Sequence, residues 1–345
     1  MPELDPVLVS GAAGFVGMHV ARRLLQDGHT VIGVDNLNDY YDPRLKQARL
    51  NALTGFAKFQ FKKIDIADRA AMAELFAAYR FPSVVHLAAQ VGVRQSLRDP
   101  QAYVDANLAG FVNVLEGCRH AGCRHLVYAS SSSVYGANTR MPLRLSDNVD
   151  HPLSLYGATK KANELMAHAY AHLFAIPATG LRFFTIYGPW GRPDMAMWLF
   201  AAAIMDGKPI RLFNNGRMRR DFTYIDDVTE AVTRLLAKPP APNAAWSGAT
   251  PDPATSSAPW RVYNIGNSRP VELTDLVAAI ERAVGKPAVR ELLPMQPGDV
   301  IETCADCADL EREVGFRPDT SIEDGIGRFV AWLHDYRRAE GIGSQ

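Results

Sequence analysis

Val7-Leu-Val-Ser-Gly11-Ala-Ala-Gly14-Phe15-Val16-Gly17 is the stretch that decides the fold of this 345-residue chain. An apolar strand over 6–10 runs into three evenly spaced glycines, and residues 15–26 then carry apolar side chains at helical spacing. In such a strand–turn–helix the first glycine allows the tight turn and the second lets backbone approach a phosphate. The third lets the helix pack closely on the strand. The helix N-terminus offers free N–H groups and the positive end of its dipole to a pyrophosphate. The glycines alone also fit a βα turn that binds nothing. A second strand over 30–34 narrows the choice, because it ends in Asp35, about 20 residues downstream. A carboxylate there accepts hydrogen bonds from a ribose diol and repels a 2′-phosphate, so NAD is expected rather than NADP.

Working outward, strand-like runs recur at 58–64, 83–87, 124–130 and about 177–184. Helical stretches lie between them near 43–53, 68–79, 100–121 and 154–175. This alternation predicts an α/β fold with a doubly wound parallel sheet and right-handed crossovers. Ligands of such sheets sit beyond the carboxyl ends of the strands. The positions to read are therefore Gly11, Asp35, Asp65-Ile66, Ala88-Ala89, Ser130 to Ser133 and Thr185. After Tyr187 the pattern loosens: Pro189, Gly191, Pro193, Gly207 and Pro209 mark loops, and Phe213-Asn-Asn-Gly216 reads as a turn. Further helices are expected near 226–237, 273–284, 306–313 and 322–339. The reading divides the chain into a nucleotide-binding domain over 1–186, with 219–238 packing back on it, and a smaller α/β section from 187–218 and 260–345. Residues 239–259, rich in Pro, Ala, Ser and Thr, are expected to form a mobile surface insertion.

Tyr156 and Lys160 lie four residues apart, hence on one face of the helix expected over 154–175. An ammonium beside a phenol favours the phenolate, which would make a base usable near neutrality. Alone, that spacing is also what an ordinary helix surface gives. Downstream of a dinucleotide fingerprint it points to redox chemistry at a carbinol carbon.

Composition bounds the partners. Lys+Arg and Asp+Glu both total 37, so no bulk charge draws the chain to nucleic acid or a membrane surface. No apolar run is long enough to span a bilayer, and the N-terminus lacks a basic-then-apolar signal pattern, so a cytoplasmic protein is expected. Four cysteines in a chain this long do not read as a disulfide framework. Cys304 and Cys307 have metal or redox spacing but no second pair, and are read as structural thiols. No metal site is expected.

The chain resembles the extended short-chain dehydrogenase/reductase family of nucleotide-sugar epimerases and dehydratases over nearly its whole length. Four stretches are similar to its UDP-glucuronate 4-epimerase branch: Asp35-Asn36-Leu-Asn38-Asp-Tyr-Tyr-Asp42, His86-Leu87-Ala88-Ala89-Gln-Val-Gly-Val-Arg94-Gln-Ser96, Leu181 through Ala196 with Thr185 and Arg192, and Pro294-Met-Gln-Pro-Gly-Asp299. The resemblance implies that Gly11, Gly14, Phe15, Val16 and Gly17 hold the NAD pyrophosphate and Asp35, Asn36 and Asn38 the adenosine ribose. It puts Asp65 and Ile66 beside the adenine, and Leu87, Ala88, Ala89 and Asn107 along the cofactor. Lys160 would also bond the nicotinamide ribose.

By the same resemblance Ser131, Tyr156 and Lys160 are the catalytic set, and Arg94, Phe213, Arg220 and Asp299 bind the UDP-sugar. Arg217 and Arg219 are nearby alternatives. Many relatives carry an arginine where this chain has Met295-Gln296. Dehydratases of the family need an acid–base pair after the serine, and decarboxylases a glutamate near it; this chain has Ser132 and Ser133 there. The expected reaction is reversible inversion at C4 of UDP-glucuronate to UDP-galacturonate. Ser132, Ser133, Thr185 and Arg192 are expected to grip the uronate carboxylate. UDP-glucose/UDP-galactose epimerisation is the alternative, UDP-glucuronate decarboxylation a weaker one, and a nucleotide-sensing or scaffold protein without catalysis the non-enzymatic one. A homodimer formed through helices 100–121 and 154–175 is also implied.

Overall fold

The computed structural model describes residues 4–296 and 299–341. Pro297 and Gly298 of the 294–299 stretch therefore lie outside the described residues. In chain order the elements of the first half are β1 (Val7–Ser10), α1 (Phe15–Gln26), β2 (Val31–Asp35), α2 (Pro43–Asn51), β3 (Phe59–Lys63), α3 (Arg69–Tyr79), β4 (Ser83–His86), α4 (Pro100–Tyr103), α5 (Gly110–Ala121), β5 (His125–Ser131), α6 (Leu155–Phe174) and β6 (Ala178–Phe183). The second half adds β7 (Thr185–Tyr187), α7 (Ala196–Met205), β8 (Ile210–Leu212), β9 (Arg219–Tyr224), α8 (Ile225–Leu236), β10 (Trp260–Ile265), β11 (Pro270–Glu272), α9 (Leu273–Val284), β12 (Arg290–Leu292), α10 (Ala308–Val314) and α11 (Ile322–Ala339).

The main sheet is parallel and runs β10-β6-β5-β4-β1-β2-β3. One face buries Leu8, Val34, Val84 and Leu126 against Phe76, Phe111, Val114 and Ala167 of α3, α5 and α6. The other buries Val9, Val85 and Val127 against Met18, Leu24, Val232 and Leu235 of α1 and α8. Strands covered on both faces account for the continuous apolar runs in the sequence. Chain order reverses on either side of β1, so the crevice opens above β1 and β4.

Four expectations need correction. Residues 260–265, assigned from sequence to the second section, form the seventh strand of the main sheet, paired in register with β6. Within 219–238 only α8 packs back on α1; β9 instead pairs with β7 and β11 in a separate three-stranded sheet. Third, the helix expected over 100–121 is broken by a π-helical turn at Val104–Ala109. That turn lets the Asn107 carbonyl accept from Asn163 Nδ2 at 2.6 Å, a register shift of the kind found at functional sites.

The fourth concerns 239–259. Ala254, Ser256 and Ala258 are buried, the Asn243 amide bonds the Ser256 carbonyl at 2.8 Å, and Ser256 Oγ meets His168 Nε2 at 2.8 Å. Trp260 adds Nε1–H to the Tyr128 hydroxyl at 3.0 Å. Small residues drop out of a hydropathy reading, yet they fit closely against α6 here. Replacing 244–251 with a short Gly/Ser linker is expected to shift the melting temperature by no more than a few degrees. Replacing 240–258 should cost clearly more, and equal melting temperatures for the two variants would refute this anchoring.

The second section has its own core, where α7, α9 and α11 bury Phe200, Leu276, Ile280, Phe329 and Leu333. Among the described residues no helix is long and apolar enough to cross a membrane.

Candidate active site

A cleft of about 1250 Å³ lies between the carboxyl ends of the main strands and the second section. Every site residue expected from sequence lines it except Asn107. Asn107 stands one layer behind, 1 % exposed: its Oδ1 accepts the Gln90 amide at 2.8 Å, and its Nδ2 donates to the Gln90 carbonyl and Thr159 Oγ1 at 3.0 Å. It shapes the loop after β4 rather than the cleft surface.

At one end the glycine turn forms a cradle that side chains would fill. A Cβ on Gly17 would sit 1.9 Å from the Gly11 carbonyl oxygen. Gly14 caps α1 without a side-chain bond, which leaves the first-turn amides to a ligand. Asp35 Oδ2 accepts the Ala13 amide at 3.2 Å and Oδ1 the Leu37 amide at 2.9 Å. Asn38 is held by Lys46 Nζ at 2.6 Å, and Asn36 donates to Asp65 at 2.9 Å. This end fits a dinucleotide: free amides for a diphosphate, then a carboxylate for a diol. Asp35→Ala is expected to weaken NAD binding about 10–100-fold, the range of hydrogen bonds to a charged group, and to relax discrimination against NADP. Titrating both cofactors into apo-protein checks it; an unchanged preference would move the choice to another residue.

Midway along the cleft lie Ser131, Tyr156 and Lys160, the set expected to be catalytic. Ser131 ends β5, and its Oγ accepts the Ser133 amide at 3.1 Å, which turns Ser132–Tyr135 into a 3₁₀ helix. Ser154 caps α6 through the Gly157 amide at 3.0 Å. A Cβ on Gly157 would come within 2.6 Å of the Ser133 carbonyl, so its absence lets the start of α6, with Tyr156, close on the serine turn.

The electrostatics differ from the sequence expectation. Burial raises the Tyr156 phenol above its ordinary value, and the groups pulling it back are the Ser131 hydroxyl and the Arg192 guanidinium. Lys160 Nζ donates instead to the Ala129 carbonyl at 2.9 Å, and burial lowers its pKa to about 8. The i,i+4 spacing puts both groups on one face, but the ammonium leans toward the strand. The Tyr103 ring stands edge-on to Tyr156 at 6.2 Å.

At the far end Arg94 lies 5.2 Å over the Phe213 ring and reaches Asp299 at 3.3 Å. Arg220 is placed differently from expectation. Its guanidinium donates to the Val300 carbonyl at 2.5 Å and the Ile301 and Arg219 carbonyls at 2.9 Å, so its fork braces the 299–301 segment. Arg219 pairs with Glu272 and Glu302, each at 3.0 Å. Thr185, read as the end of the sixth strand, opens β7 and lines the cleft with Arg192. The Cys307 thiol donates to the Gly266 carbonyl at 3.2 Å and burial pushes its pKa up to about 12, as suits a structural thiol.

Sequence reading passed over four residues that order this site: Tyr40, Asp194, Glu164 and Arg182. Glu164 follows Lys160 by four residues, a signal available from spacing. Asp194 pairs with Arg192 two residues before it, whereas Tyr40 and Arg182 find their partners in separate elements.

The family model described as NAD dependent epimerase/dehydratase matches residues 7–248. Protein CapI of Staphylococcus aureus is 53 % identical over 330 residues, covering 96 % of this chain and 98 % of its own. A probable UDP-glucuronate 4-epimerase of Rhizobium meliloti is 48 % identical over 337 residues, at 96 % and 98 % coverage. Among solved structures, the UDP-glucuronic acid 4-epimerase of Bacillus cereus in complex with UDP-glucuronic acid and NAD superposes with a TM-score of 0.84. That pair is 31 % identical, with 96 % of this chain and 99 % of that chain covered.

Proposed function

Since the chain belongs to the NAD dependent epimerase/dehydratase family, we propose that it is an NAD-dependent UDP-glucuronate 4-epimerase, interconverting UDP-glucuronate and UDP-galacturonate. The observation that carries the reading is the serine turn facing Tyr156: Ser131 is followed by neutral Ser132 and Ser133, with Thr185 and Arg192 lining the same cleft.

Tyr156 takes the O4 proton while Ser131 bonds O4. Lys160 steadies the Ala129 carbonyl, two residues before Ser131 on β5, and lines the same cleft. The Gly11–Gly17 cradle and Asp35 would hold NAD, which would supply hydride acceptance from C4 and its return to the opposite face, and Tyr156 gives the proton back to O4. The 4-keto sugar must turn over between these steps, so the site grips UDP through Arg94, Phe213 and Asp299 and the sugar more loosely. Oxidising C4 of a glucuronate makes a β-keto acid, which loses CO₂ once the C5–C6 bond aligns with the carbonyl π system. Ser132, Ser133, Thr185 and Arg192 hold the carboxylate out of that alignment. Arg220 contributes by fixing the backbone on which Asp299 sits.

We place the protein in the cytoplasm, in keeping with its four free thiols. We assign it a homodimer through α5 and α6, where Val112, Leu165, Leu173 and Phe174 stay exposed; sedimentation tests the dimer. Incubation with UDP-glucuronate and UDP-glucose in parallel tests the reaction. UDP-galacturonate should dominate the products, and equal turnover of the two sugars would overturn the uronate assignment.

A further inference from the structure

Tyr40 and Asp194 reach each other from opposite sides of the cleft. Tyr40 belongs to the 36–42 loop that follows Asp35, and Asp194 lies between β7 and α7, two residues beyond Arg192. The Tyr40 hydroxyl donates to Asp194 Oδ2 at 3.2 Å. The same carboxylate takes Arg192 Nε at 3.0 Å and Nη2 at 2.5 Å. From beneath, the fully buried Arg49 of α2 donates to the Trp190 carbonyl at 2.7 and 3.1 Å and to the Gly191 carbonyl at 3.0 Å. Arg49 also bonds the Ala13 carbonyl in the glycine turn at 3.1 Å and the Tyr41 hydroxyl at 2.6 Å. The short loop carrying Arg192 is thus tied at both ends to the half of the molecule that holds the cofactor.

A guanidinium has five N–H donors in a rigid fork, and Asp194 occupies one edge. The other edge is left for the cleft. Arginine on a loop otherwise samples many rotamers, so the carboxylate decides where that edge points.

We propose that Asp194, braced by Tyr40, is a positioning residue that aims Arg192 at the sugar carboxylate, so that uronate selectivity depends on a contact made by the cofactor-side loop. This rests on the UDP-glucuronate reading above. Burial, then the Asp194 charge, raises the Tyr40 phenol, which keeps it a donor. The bland alternative is a local loop contact, since Arg and Asp two residues apart often pair. Tyr40 separates the two, because it comes from the other side of the cleft and has no part in a local pair.

The test compares wild type, Tyr40→Phe, Asp194→Asn and the double variant, with kcat and KM measured separately on UDP-glucuronate and UDP-glucose. For Asp194→Asn the uronate-over-hexose ratio of kcat/KM should fall about 10–100-fold, the range of a charge-assisted pair. For Tyr40→Phe a fall of about 3–10-fold is expected from one neutral donor. Most of the fall in the ratio should appear in KM for the uronate, while any fall in kcat is shared by both sugars because Arg192 also acts on Tyr156. The double variant should be little worse than Asp194→Asn, because the two act in series. Ratios equal to wild type, or equal losses on both sugars, would overturn the positioning role. A wild type without uronate preference instead removes the substrate assignment, and that is visible before any variant is read. If Asp194→Asn fails to fold, Tyr40→Phe alone decides.

Discussion

Tyr156→Phe is expected to lower kcat about 10²–10⁴-fold, the usual worth of a general base, with NAD affinity and melting temperature close to wild type. Only a hydroxyl is lost, and the ring keeps its edge-on contact with Tyr103. Burial holds the phenol above its ordinary value, so its proton leaves only with help from the Ser131 hydroxyl and the Arg192 charge. Activity should fall in alkali as Lys160, lowered by burial to about 8, loses the charge that completes the site. A Phe variant that keeps over half of wild-type turnover would remove Tyr156 from the mechanism. An alkaline limb near the ordinary lysine value of 10.5 would instead show that Lys160 is not titrating as a buried group.

The fold was legible because its strands are covered on both faces and therefore read as unbroken apolar runs, each followed by the residue that faces the crevice. Gly11, Asp35, Ser131 and Tyr156 are legible for the same reason: each lies at or just past a strand's carboxyl end or on the first turn of the next helix. What spacing does not carry is a side chain's direction. Lys160 and Tyr156 share a helix face, yet Lys160 turns to the Ala129 carbonyl; Arg220 lines the cleft, yet its fork is taken by main chain. Partners from distant segments were equally hidden. Nothing local marks Trp260 as pairing across to Ala178, Tyr40 as reaching Asp194, or Ala254 as core. The three-residue strands β7, β8, β11 and β12 are too short to show any periodicity.

Glu164→Gln should destabilise the fold by about 3–5 kcal/mol, the cost of stranding the other half of a buried pair. For a chain of this size that corresponds to roughly 5–15 °C in melting temperature. Glu164 is 2 % exposed and Arg182 0 %. Arg182 Nε and Nη2 meet the two carboxylate oxygens at 2.8 and 2.9 Å, and Ser130 Oγ adds a bond at 2.6 Å. Arg182 Nη1 continues to the Tyr135 hydroxyl at 3.1 Å, and that hydroxyl donates to Asn264 at 2.7 Å. One carboxylate therefore joins β5, β6, α6 and the serine turn immediately behind Ser131, so the surviving folded fraction should also turn over more slowly. Burial alone would raise Glu164, but the Arg182 charge, its hydrogen bonds and that of Ser130 outweigh it and leave the carboxyl below its ordinary 4.5. A group whose folded pKa lies below its unfolded value stabilises above the unfolded value and loses that contribution as pH falls through the folded one. The gap between wild type and Glu164→Gln should thus be full at neutral pH and begin to narrow only below about 4.5. Melting curves for both proteins across that range decide the matter. A gap that is absent at neutral pH, or that widens in acid, would mean Glu164 is not held as the buried anion this network requires.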